Sequence, residues 1–135
     1  MKGILLVADS ARIHGDGTFS LLRGGIDRVL VPAGEPLIHR GSVLARLAGD
    51  AAESGKHEFS LRIETGSGEA VAPELRAPFE IPVGGGAAAA ALDIGFSLTK
   101  PGWYKIVLSV GGKDLDVWRV DVQSVPAVNL AGAKK

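Results

Sequence analysis

The chain has no cysteine among its 135 residues. That excludes disulfides, thiolate nucleophiles and cysteine-based metal sites. Aromatic residues are few, 5% in all, with two Trp and one Tyr. Charge of either sign is missing in the net: fifteen basic and fifteen acidic side chains cancel. No long-range field therefore steers the molecule to nucleic acid or to an anionic membrane. Long apolar runs are lacking too. Gly3 to Ala8 is the only one near the start, too short for a signal-peptide core or a membrane span. A soluble cytoplasmic protein is the expectation.

What the chain does have is glycine, nineteen residues of it, and short alternating segments between turn signals. The strongest lies at Trp103 to Val122. Two alternating runs flank Gly111-Gly112, and a glycine pair suits the positive φ that a type I′ hairpin turn needs at both central residues. His57 to Glu64 alternates most cleanly, with Phe59, Leu61 and Ile63 inward and Glu58, Ser60, Arg62 and Glu64 outward. Ile4 to Ala8 reads as a strand buried on both faces. Asp9 to Ile13 continues it, and Thr18 to Arg23 returns after a turn at Gly15 to Gly17. Gly24-Gly25 marks a bend before the extended stretch Ile26 to Val31. Ser42 to Leu47 and Ala89 to Leu98 are further strands. Proline at 78 and 82 confines Ala77 to Val83 to an edge or a loop. Gly49 to Gly55 reads as a mobile connection and Gly84 to Gly86 as a flexible linker.

Short strands with turn signals about every ten residues predict an all-β protein. The expected architecture is a single immunoglobulin-like β-sandwich of about seven to nine mostly antiparallel strands. It fills residues 1–123, and 124–135 form a flexible or docking tail. Phe59, Leu61, Ile63, Leu92, Ile94, Phe96, Tyr104, Ile106 and Leu108 are its expected core.

Four stretches also carry a family likeness. They are Ala8-Asp9-Ser10-Ala11-Arg12, Gly24 to Val29, Gly55 to Phe59 leading into Leu61-Arg62-Ile63, and Pro101-Gly102-Trp103-Tyr104 leading to Gly111-Gly112. Together the chain resembles a family of small bacterial all-β proteins catalogued only as a domain of unknown function. The resemblance implies a compact β-sandwich and brings no activity, ligand or catalytic residue with it.

The sequence offers no recognisable catalytic set. His14, His39 and His57 have no partner histidine at metal-ligand spacing, although Asp9, Asp16, Glu53 and Glu58 lie near them in sequence. Ser10, Ser20, Ser42 and Ser60 lack a nucleophile elbow. Gly84 to Gly86 lacks the lysine and helix of a phosphate loop. Asp114 and Asp116, two apart on one strand, read as a solvated edge rather than an acid–base pair. Arginines at 12, 23, 28, 40 and 46 give the first third a mild basic bias without the aromatics of a nucleic-acid reader. No enzyme activity, cofactor or metal is expected, and neither nucleic acid nor membrane as partner.

The tryptophans are the one functional hint. With a two-residue turn and no irregularity, Leu108 opposes Leu115 and Ile106 opposes Val117. The other hairpin face then shows Trp103, Val107, Trp118 and Val120, too apolar for open water. Either a bulge near Asp116 to Trp118 turns Trp118 inward, or something covers that face. These four residues are the candidate interaction surface of a non-enzymatic protein-interaction or assembly module, whose partner is another protein or a second copy. The alternative is a small-ligand or carbohydrate-binding module that stacks a ring on Trp103, Tyr104 or Trp118.

Overall fold

The computed structural model describes residues 1–32, 37–98 and 100–125, without the side chains of 37–39 and 96–98. Ten strands run through these residues: β1 (Lys2–Ala8), β2 (Ser10–Ile13), β3 (Phe19–Leu22), β4 (Arg28–Pro32), β5 (Leu37–Asp50), β6 (Gly55–Thr65), β7 (Leu75–Ile81), β8 (Gly85–Leu98), β9 (Gly102–Val110) and β10 (Lys113–Val125). The protein is all-β, as the alternation implies. Its strands form three sheets rather than one simple pair of layers. A three-stranded sheet has the order β1-β5-β8, a five-stranded sheet the order β4-β10-β9-β6-β7, and β2 and β3 make a two-stranded hairpin. The extra strands arise where Asp9 breaks the expected continuation of β1, so that Ser10–Ile13 pairs only with Phe19–Leu22. All pairings are antiparallel except β4 with β10.

The two larger sheets share one core, in which side chains of alternate parity meet. The three-stranded sheet supplies Leu5, Val7, Val43, Ala45, Leu47 and Ile94. The five-stranded sheet answers with Phe59, Leu61, Ile63, Tyr104, Ile106, Leu108 and Val122. Of the expected core, Leu92 is only partly buried against this cluster, and Phe96 lies outside the described side chains. Gly3 lets the layers close up. A Cβ there would stand 2.7 Å from Leu108 Cδ2 and 3.2 Å from Leu115 Cβ.

Two connections expected to be loose are built. At Asp50 to Glu53 a 3-10 turn carries a reciprocal capping box, in which Asp50 accepts from the Glu53 amide and Glu53 from the Asp50 amide. Such a box satisfies two otherwise orphaned donors. Gly84 to Gly86 all adopt positive φ, and a Cβ on Gly85 would press to 3.0 Å on the Asp50–Ala51 backbone. The glycines are therefore a tight corner against that turn. Ala70 makes an isolated antiparallel bridge to Glu64. At the far end β10 continues through Val125, paired with Pro32, two residues past the expected domain limit at 123. Residues 126–135 of the expected tail, and residues 33–36, lie outside the described residues.

Candidate interaction surfaces

The hairpin turn forms as its glycines require, with φ of 58° at Gly111 and 80° at Gly112. The register then shifts: Asp114 pairs with Ser109 but Asp116 with Leu108, leaving Leu115 as the extra residue of a bulge. A bulge moves every later side chain by one place. Ile106 consequently faces Trp118 and Tyr104 faces Val120. The four residues of the expected surface do not share a face. Trp118 packs against the core and Val120 is buried, both on the inner side of β10. Trp103 and Val107 stay on the outer side of β9, where Val107 is buried as well.

The bulge has a tertiary cause. It frees Asp116 to accept a 2.8 Å hydrogen bond from the Leu5 amide of β1, which stitches one sheet to the other. Trp118, turned inward, donates its indole N–H to the Ile26 carbonyl at 2.7 Å. Tyr104 is buried and donates its hydroxyl to the Lys100 carbonyl at 2.8 Å. Of the three rings suggested as stacking platforms, Trp118 is only partly buried and Trp103 is the exposed one, at 39%. It carries the Arg119 guanidinium 4.6 Å from its ring centroid, and it lies so close to Gly66 that a Cβ there would come within 2.3 Å of the indole. A partly exposed cation–π pair of this kind is a surface clasp.

Outside, the five-stranded sheet is charged along β6 and β7, while Leu30, Val117 and Trp103 are exposed on β4, β10 and β9. Arg62 bonds Glu64, Ser109 and Asp114 at 3.3, 2.8 and 3.2 Å. Lys105 reaches Glu64 at 3.7 Å, and Arg76 pairs with Glu74 and Glu58. Asp114 is thus held by groups across the hairpin, and Asp114 and Asp116 serve separate structural bonds instead of acting together. The Ser109 hydroxyl, then Arg62, lower the Asp114 pKa. A carboxylate whose folded pKa lies below its unfolded value of about 3.9 stabilises fully above that pH, and the contribution disappears as pH falls through the folded value. The expected result is that Asp114→Asn unfolds at lower urea than the wild type at pH 7. That difference should shrink in strongly acidic buffer. A gap that stayed constant from neutral pH to acid would mean that the Asp114 charge contributes nothing.

The outer face of the three-stranded sheet mixes Lys2, Arg46 and Asp93 with aliphatic side chains. Across its strands stand four rows: Lys2, Ala48 and Ala87; Ile4, Arg46 and Ala89; Leu6, Leu44 and Ala91; Ala8, Ser42 and Asp93. Leu44 is enclosed at 1% exposure, whereas Ile4 is open at 53%. Sequence reasoning missed this face because Ile4 to Ala8 looked buried on both sides. No local signal separates Ile4, which is open, from Leu44, which is enclosed on the same face.

At the Asp93 end is a cleft of about 670 Å³ lined by Asp9, Arg40, Gly41, Asp93, Ile94 and Gly95. Asp93 accepts from the buried Ser42 hydroxyl at 2.7 Å, and Asp9 pairs with Arg23 at 3.3 Å. Its carboxylates therefore have partners within the fold. His14 and His57 do not join them. His14 is bonded to Ser20 at 2.7 Å, and His57 bonds the Glu53 carbonyl at 2.6 Å while stacking on Phe79. The His39 side chain lies outside the described residues. Among the described residues no group of three His or carboxylate side chains gathers in metal-holding geometry. No described helix is long and apolar enough to cross a membrane.

A family model described as a family of unknown function, DUF6941, matches residues 3–123, and the chain belongs to that family. No curated protein and no solved structure matches it.

Proposed function

We propose that this member of the family is a non-enzymatic protein-interaction or assembly module, carried on a β-sandwich of immunoglobulin-like general architecture and working in the cytoplasm. One observation carries the reading: Ile4, half exposed on the edge strand β1, is the most open large aliphatic side chain of the three-stranded sheet among the described residues. It stands in one row with Arg46 and the small Ala89, next to partly buried Leu6. An open aliphatic side chain on a sheet edge of a charge-neutral protein supports a contact surface. On the β6 and β7 side of the five-stranded sheet, by contrast, arginines and carboxylates pair with one another. The partner is a protein surface rather than a sugar, since Tyr104 and Trp118 are committed to hydrogen bonds inside the fold. This moves the proposed contact from the hairpin to the opposite sheet.

The test places a photo-crosslinking amino acid at Ile4 and, in a second protein, at Glu58 on the charged sheet. Irradiation is done in the cells that make the protein. A discrete protein adduct from position 4 and none from position 58 is the expected result. Equal labelling from both positions, or no adduct from position 4, would overturn the assignment of the face.

A further inference from the structure

The two larger sheets have four edge strands, and three of them are protected. The β1 edge gives its Leu5 amide to Asp116 of the facing sheet. Strand β4 is only five residues long and ends in Pro32. Strand β7 carries Pro78, which has no amide to donate, between Arg76 and Glu80. Proline, brevity and edge charges are how natural sheets discourage a further strand. The fourth edge, β8, has none of these. It spans fourteen residues, pairs only with β5, and from Ala87 to Gly95 has a single charged side chain, Asp93. Among the described residues no other backbone group bonds the amides and carbonyls on its far side.

Resting on the interaction-module reading, we infer that the partner is a second copy of this chain, joined through antiparallel β8–β8 pairing that extends the three-stranded sheet to six strands across a two-fold axis. An unpaired edge specifies its occupant chemically, because only an extended backbone can meet alternating amides and carbonyls. The side chains favour self-pairing. Centred on Ala89, the two-fold sets Ala87 against Ala91 and Ala88 against Ala90, with each Asp93 opposite Gly85. In this register no like charges meet, and zero net charge removes the general repulsion between copies. The outer faces of both copies then lie on the same side of the extended sheet, as an isologous contact requires.

Charge reversal across the axis tests it. Ala87→Glu/Ala89→Glu and Ala87→Lys/Ala89→Lys change two outward positions opposite Ala48 and Arg46, away from the core, and circular dichroism confirms that both variants fold. In light scattering across a concentration series, the wild type should rise from 13.9 kDa toward twice that mass. Each variant alone should lose about tenfold or more in self-affinity, and an equimolar mixture of the two should regain it. A wild type that stays at one-chain mass would overturn β8 self-pairing, and so would variants that associate like the wild type or a mixture that fails to recover. A monomer that still gives a foreign adduct at position 4 leaves the interaction module standing and removes only the self-pairing. A monomer with no adduct removes both.

Discussion

Replacing Phe59 with alanine should lower the unfolding free energy by about 3–5 kcal/mol, the usual cost of emptying a fully enclosed aromatic site. Phe59 has no exposed surface and sits in β6, the strand flanked by β7 and β9. Its ring is 6.0 Å from that of Phe79, tilted by 48°, an arrangement that adds to the area it removes from water. Neighbours on three strands cannot close the hole, because each is fixed in register by its own ladder. Set against a total of roughly 5–15 kcal/mol for an ordinary domain, the loss leaves the variant close to unfolding at growth temperature. Urea denaturation of Phe59→Ala and Phe59→Leu measures it, with the leucine variant falling between the alanine variant and the wild type. A loss under about 1 kcal/mol for Phe59→Ala would show that β6 is not central to the core.

Phe59 was legible in the sequence because its strand alternates over a full sheet width, and alternation is a local property. The Gly111-Gly112 turn was legible for the same reason: the required φ values belong to those two residues. The bulge at Leu115 was not. Its cause is Asp116 reaching the Leu5 amide, 111 residues away in sequence, and no local pattern encodes such a bond. One unseen residue therefore moved Trp118 and Val120 from the outer face to the core side. The alanine run was legible as a strand only from Ala89 on, through the alternation that follows it. Alanine favours helix in isolation, but β5 offers residues 87–91 a complete antiparallel partner from Ala48 to Leu44, and tertiary pairing overrides propensity. Glycines at 84 to 86 resembled a linker because close backbone approach and flexibility call for the same residue. Composition and periodicity thus reached the all-β class, the β6 core and the hairpin. The contact face depended on which sheet lies over which.

Trp118 is where that difference becomes measurable. As part of an exposed patch, its removal would weaken association and spare the fold; in its observed place the expectation reverses. Trp118→Ala should cost about 3 kcal/mol of stability, toward the low end for a large aromatic because the ring is only partly buried. Trp118→Phe keeps most of the packing but removes the N–H, leaving the Ile26 carbonyl without its 2.7 Å donor, for a loss of about 1–2 kcal/mol. The damage should be local in origin. Trp118, the Asp121 amide on the Asp27 carbonyl, and the Gly25 and Ile26 amides on the Val7 carbonyl together fasten the Gly24 to Asp27 crossing between the sheets. β4 follows directly and is held in the five-stranded sheet only by its parallel pairing with β10. Hydrogen exchange at the amides of β4 should accelerate in Trp118→Ala before that of β6 does. Self-association through β8 should be unchanged at concentrations where the variant is folded. If Trp118→Ala instead kept wild-type stability and lost association, the indole would belong to a contact surface and the bulged register would be wrong.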